Sequence, residues 1–178
     1  MAEYEAYDED VEVNGQTINS FLDAVMIKSK VKDILEEEGI VDPAPDKWYS
    51  QQAWLNAFKK IHEKTGDLTL KKIGRSIPEN ADWPSDIETI PEGLKSIDKA
   101  YHMNHRYGKI GNYKFEKTDE REGKIICDNP YPDPFDEGII KATVEKFSDD
   151  SSNVKVEIDD SKPTRSEGAN STVFLIYW

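Results

Sequence analysis

The sequence predicts an α+β fold, an N-terminal helical half followed by β-β-α-β-β with a four-stranded antiparallel sheet. Three observations predict it. Apolar residues recur at three- and four-residue spacing through the first hundred residues and lose that period beyond Gly108. Past that glycine, "GNYKFEKTDEREGKIICDN", "NVKVEID" and "STVFLIYW" read as short strands bounded by turn residues. One further helical stretch, after "NPYPDPF", separates the first strand pair from the second. At 178 residues the chain fits one domain with a real core. The division expected is an acidic, loose segment 1–14 and a single α+β domain over 15–178.

The elements follow in order. "VEVNGQTI" carries Asn14-Gly15, a turn signal between short apolar stretches. Phe21, Leu22, Val25, Met26, Ile34 and Leu35 predict a helix over 18–38, stopped by Gly39 and the Pro-rich "VDPAPD". Ser50 can cap a second helix that buries Trp54, Phe58 and Ile61 on one face and ends at Gly66. "LTLKKIGRSI" predicts a short third helix before the loop "PENADWPSD". A fourth starts near Pro91, which suits a first helical position, and runs to about Arg106. After the first strand pair, Asp133 as N-cap and Pro134 at N1 predict the helix that ends in "VEKFS".

Bulk properties narrow the function. Lys plus Arg number 23 against 36 Asp plus Glu, a net charge of −13, which repels phosphate backbones and anionic membranes. Nucleic-acid binding is therefore not expected. No apolar run reaches the roughly 18–20 residues of a membrane span, and the acidic start lacks the apolar core of a signal peptide. A cytoplasmic protein with no membrane partner is expected. Cys127 is the single cysteine, so no internal disulfide and no cysteine-built zinc site can form.

The candidate chemistry is sparse. "IDKAYHMNHR" holds His102 and His105 three apart near the end of the fourth helix. At about 100° per residue, Ile90, Leu94, Ile97, Tyr101 and His105 share one stripe while His102 lies on its flank. A shared metal needs further ligands that nothing in the sequence brings near, so one packed histidine and one surface histidine are expected. Cys127 alternates inward on its strand without an adjacent base, as a structural cysteine does. No nucleophile elbow, phosphate loop, dinucleotide glycine pattern or H-E-x-x-H is present, and no enzyme is expected.

The order of elements, with "IKSKVKDILEEEGI", "WYSQQAWLNAFKKIHEKTGDLTLKKIGRSI" and "TRSEGANSTVFLIYW", resembles the haem nitric-oxide/oxygen-binding (H-NOX) fold and its haem-free relatives, the vinyl-reductase-type sensing domains. The resemblance spans most of residues 15–178 and implies a ligand pocket between the helical half and the sheet. H-NOX proteins hold haem through a histidine in a helix reading roughly "L-D-x-x-H". Here "IDKAY" fills that pattern and puts Tyr101 in the ligand's slot, with His102 one residue late. The propionate-binding motif "Y-x-S-x-R" has no match, since "NPYPDPFDEG" offers acids and no arginine. The zinc held by cysteines in some vinyl-reductase-type domains is not expected, because Thr164, Ser166, Ser171 and Thr172 stand at the equivalent turn.

On this reading the chain is a haem-free signalling domain with no cofactor. It binds a small apolar or aromatic ligand through Trp54, Phe58, Leu94, Ile97, Tyr101 and His105, and acts on a signalling partner or as a homodimer. The alternative is a haem- or metal-binding gas or redox sensor using Tyr101, His102 or His105.

Overall fold

The computed structural model describes residues 3–25, 28–81 and 83–178. Its first half is helical. Asn14 caps α1 (Gly15–Ala24) by accepting from the Gln16 amide at 2.7 Å, so Asn14-Gly15 starts a helix instead of a free turn. α1 ends at Val25, whose backbone is extended, and α2 (Lys28–Glu37) follows. The single helix expected over 18–38 is thus two, and Met26 lies outside the described residues. The periodicity explains the break. At about 100° per residue, Ile34 falls roughly 160° round a continuous helix from Ile18, so one straight rod could not bury both. Breaking the chain lets Ile18, Phe21 and Leu22 of α1 and Val31, Ile34 and Leu35 of α2 all reach the core.

Ser50 caps α3 (Gln51–Thr65) through the Ala53 amide at 3.3 Å, and Gly66, at φ 76°, closes it. α4 (Asp67–Asn80) runs further than expected, carrying Pro78 inside its last turn, and the Trp83 indole donates to the Pro78 carbonyl at 2.8 Å. α5 (Ile90–Met103) opens with a capping box between Thr89 and Glu92 and has Pro91 in its first turn. The capping box satisfies, and the proline removes, amide donors that a helix start leaves without partners.

Three short strands tie these helices together. β1 (Glu12–Asn14) pairs antiparallel with β2 (Trp48–Ser50) on one side and β3 (His105–Arg106) on the other. The main sheet has the order β4-β5-β7-β6, all antiparallel, from β4 (Asn112–Asp119), β5 (Glu122–Asp128), β6 (Lys155–Ile158) and β7 (Thr172–Tyr177). This is the α+β, four-stranded antiparallel architecture expected from the sequence. α6 (Asp133–Lys146) lies between the two strand pairs in the chain. Its N-cap is Pro132 and not Asp133, because the Asp133 carboxylate is taken by Arg165.

α6 packs on α4 almost backbone to backbone. A Cβ on Gly74 would stand 2.1 Å from the Phe135 carbonyl oxygen, and one on Gly138 would stand 2.2 Å from that of Lys71. Only glycine permits this approach. The segment expected to be loose lies against the body. Tyr4 N–H donates to the Pro130 carbonyl at 2.7 Å, Tyr7 Oη to Asp128 at 2.6 Å, and the Ala6 amide to Gln52 at 2.9 Å. No helix among the described residues is long and apolar enough to cross a membrane.

Candidate functional site

α5 buries Ile90, Leu94, Ile97 and Tyr101 along one stripe, as its period requires, and β3 begins two residues after the helix ends. Beneath that stripe lies a cavity of about 510 Å³. Its volume suits a drug-sized molecule or cofactor, for which clefts run roughly 300–1,000 Å³. α1 contributes Phe21, α3 contributes Trp54, and the region around Trp83 closes one side. α6 contributes Ile139 and Thr143.

The expected ligand residues separate here. Trp54, Ile97, Tyr101 and His105 border the cavity, whereas Phe58 and Leu94 are fully buried without bordering it. Phe58 instead supports the wall, with its ring 5.0 Å from that of Phe135 and 5.9 Å from that of Tyr131.

His105 is the chemically distinctive group. It is only 6% exposed, and its Nδ1 lies 2.8 Å from the Tyr101 carbonyl oxygen. A carbonyl can only accept, so Nδ1 carries the hydrogen and Nε2 presents its lone pair. That lone pair accepts from Tyr131 Oη at 2.7 Å. Burial pushes the imidazole's pKa down to about 4, which keeps it neutral near pH 7. The Tyr101 ring packs 4.3 Å from the His105 ring, and its hydroxyl donates to the Ile110 carbonyl at 2.5 Å. Burial drives the Tyr101 phenol's pKa well above its usual value. His102 faces away, with its side chain 48% exposed and Nδ1 2.9 Å from the Asp98 carbonyl oxygen. The two histidines therefore do not converge. Cys127 is fully buried on β5, and burial pushes its thiol well up.

The turn that presents Tyr131 and Phe135 is fixed by an arginine the sequence reading left in a polar loop. Arg165, 2% exposed, donates from Nη1 to the Asn129 carbonyl at 3.0 Å and to Asn129 Oδ1 at 2.6 Å. Its Nε reaches Asp133 Oδ1 at 3.0 Å and its Nη2 reaches Asp136 Oδ2 at 2.8 Å. Asp136 also accepts from Tyr113 Oη at 2.6 Å and Asn129 Nδ2 at 3.0 Å. Burial raises the Asp136 pKa while Arg165 pulls it back. The network is saturated and structural. Tyr131 and Gln51 were also missed. Tyr131 had a signal, since Tyr131, Asp133 and Phe135 keep the one-residue spacing of "Y-x-S-x-R" even though only the tyrosine matches. Gln51 is fully buried; its amide and Trp54 Nε1 make no hydrogen bond of good geometry among the described residues, although both side chains lie against the Tyr131 hydroxyl. Each such group costs about 1–3 kcal/mol unless something fills the gap.

No family model and no curated protein matches the chain. Solved structures do. An H-NOX protein from S. oneidensis in the Fe(II)NO ligation state has a TM-score of 0.67 and 12% identity, with 92% of this chain and 97% of that chain covered. The Fe(II) unliganded H-NOX protein from K. algicida has a TM-score of 0.65 and 17% identity, with coverages of 92% and 95%. A structure concerned with haem redox potential and porphyrin distortion has a TM-score of 0.65 and 14% identity, with coverages of 93% and 99%. The expectation of no cofactor is corrected by these neighbours, which are described with haem or with iron in the Fe(II) state. The chain has the H-NOX fold.

Proposed function

We propose that the chain is a sensing domain in which the cavity under α5 would take haem, held through His105. The observation that carries this reading is the setting of that imidazole: buried at the cavity wall, with Nδ1–H anchored on a backbone carbonyl and Nε2 accepting from Tyr131, which borders the same cavity. This is how proteins prepare a histidine for iron, the outer hydrogen bond fixing tautomer and ring orientation. The cavity's volume and its mainly apolar, aromatic wall also fit a planar tetrapyrrole.

Two features set this site apart from the pattern described for H-NOX proteins. Tyr101 stands in the usual ligand slot, but its phenol is held by Ile110 and resists ionisation, so it is a poor source of tyrosinate. Among the described residues no arginine lines the cavity, and Lys99 is the one cationic side chain that borders it. Lys99 would meet a haem carboxylate, and Tyr131 would turn its hydroxyl off Nε2, a bond worth about 1 kcal/mol net. Haem supplies an iron to which a diatomic gas can bind. The chain's own part is to hold Nε2 neutral, to exclude water with Phe21, Trp54, Trp83 and Ile139, and to carry a shift of α5 to α6 and β4, against which it packs. The output is a change of contact with a signalling partner or a second copy, and the reading requires no catalysis.

The test is an absorption titration with haem. Wild type, His102→Ala and Tyr101→Phe should each give a saturable Soret band at one haem per chain, and His105→Ala should lose it. A band that survives in His105→Ala and vanishes in Tyr101→Phe would sink the assignment.

A further inference from the structure

Asp136 is a buried base beside a buried phenol, a pair that haem ligation leaves unused. Tyr113 of β4, 5% exposed, borders the cavity, and its hydroxyl donates to Asp136 Oδ1 at 2.6 Å. Two other phenols border the same cavity, and their partners differ. Tyr101 donates to the Ile110 carbonyl, which is no base, and Tyr131 donates to His105 Nε2, the atom assigned to iron. Of the three, Tyr113 alone keeps a base of its own. Its ring also continues a short aromatic path, 5.3 Å from the ring of Tyr101, which lies 4.3 Å from that of His105. Tyr7 has the same kind of partner, Asp128 at 2.6 Å, but does not border the cavity.

We infer that Tyr113 is a redox-active tyrosine, giving one electron through Tyr101 to an oxidant in the cavity while its proton passes to Asp136 Oδ1. The products are a neutral phenoxyl radical and a neutral carboxyl group. The proton travels along a hydrogen bond already made, so Asp136 keeps its contacts with Asn129 and Arg165. Charge favours the transfer. Asp133 and Asp136 share the single guanidinium of Arg165, and a proton on Asp136 leaves Asp133 and Arg165 as a matched pair. Burial raises the Asp136 pKa, which acts in the same sense. Burial also holds the Tyr113 phenol well above its usual pKa, so the phenolate is not a route to the radical. A phenol that lost its electron and kept its proton would leave a buried charge unpaired. Electron and proton therefore leave together.

The oxidant class is a hydroperoxide, and this part rests on the haem reading. Breaking its O–O bond takes two electrons and two protons and leaves water and an alcohol. Tyr113 supplies one electron and a ferrous iron the other. Both protons come from solvent, since Asp136 keeps that of Tyr113. Such a site registers a hydroperoxide, a different class of ligand from a diatomic gas.

The experiment is freeze-quenched electron paramagnetic resonance of the full chain loaded with haem, reduced and mixed with tert-butyl hydroperoxide. Wild type and Tyr7→Phe should give a tyrosyl signal that narrows when the tyrosines are ring-deuterated. Tyr113→Phe should lose it. Asp136→Asn, which keeps an acceptor but no base, should lose most of it. No tyrosyl signal in the loaded wild type, or an equal one in Tyr113→Phe or Asp136→Asn, would overturn the inference. Should Asp136→Asn fail to fold, Tyr113→Phe, which keeps the ring, decides alone. A chain with no Soret band fails the haem reading and not this one. It is then oxidised without haem by flash-generated tris(bipyridine)ruthenium(III). Tyr113→Phe should there remove the long-lived part of the tyrosyl signal, and a signal unchanged by that substitution would overturn the inference.

Discussion

Lowering the pH from 7 to 4 should cost the fold about 3 kcal/mol through His105 alone. Burial lowers the pKa of the imidazole to about 4 in the folded chain, against about 6.5 for an imidazole in water. Between those values the unfolded chain binds more protons than the folded one, so stability falls as pH falls. The contribution is complete above about pH 6.5 and lost below about pH 4; at about 1.4 kcal/mol per pH unit its full size is about 3.5 kcal/mol, of which about 3 falls between pH 7 and pH 4. Carboxylates titrate in part of the same range, so the comparison must be with His105→Gln. Urea unfolding at pH 7 and pH 4.5 on both proteins isolates the histidine, whose removal should flatten the pH dependence by about 2–3 kcal/mol. An NMR titration of the His105 ring in the folded protein gives the pKa directly. A value near 6.5 would refute the reasoning, since it would mean that the ring is hydrated or protonated where it sits.

Three other outcomes follow from the packing. Arg165→Met leaves Asp133 and Asp136 buried without their cation and should cost about 3–5 kcal/mol in urea unfolding, with Asp136→Asn in the same chain restoring part of it. Gly138→Ala drives a Cβ onto the Lys71 carbonyl and should destabilise by at least about 2 kcal/mol, whereas Gly168→Ala, with nothing within 4 Å of its Cβ, should cost only the strain of its φ of 93°. Cys127 should react with a thiol reagent no faster than the protein opens, and at once in urea, which mass spectrometry of the labelled chain can follow.

How much of this was legible depends on whether the signal was local. α5 could be read because its capping box, Pro91 and apolar stripe all lie within one short stretch. The α1–α2 break was also readable, since a wheel drawn through both apolar sets puts them on opposite sides. The β2-β1-β3 sheet was not. Its strands have two or three residues, too few to show alternation, and Glu12 finds its partners at Ser50 and Arg106. Arg165 sits in "DSKPTRSEGAN", whose composition reads as a solvated loop, and only the tertiary pairing with Asp133 and Asp136 explains its burial. Gln51 was hidden for the same reason, because a polar residue beside an N-cap reads as exposed. At the site, the helix wheel placed His102 on the flank, where it is half-exposed, but His105 reaches the interior from β3 and not from the helix face, because α5 ends at Met103. Phe58 and Leu94 shared the same faces but stop short of the cavity, a distinction that a helix face alone cannot draw.

The most direct measurement is native mass spectrometry of the chain produced with haem supplied, set beside its denatured mass. The account predicts one haem retained by wild type and by His102→Ala, and a bare chain for His105→Ala. A bare wild-type chain, or haem held equally well without His105, would contradict it.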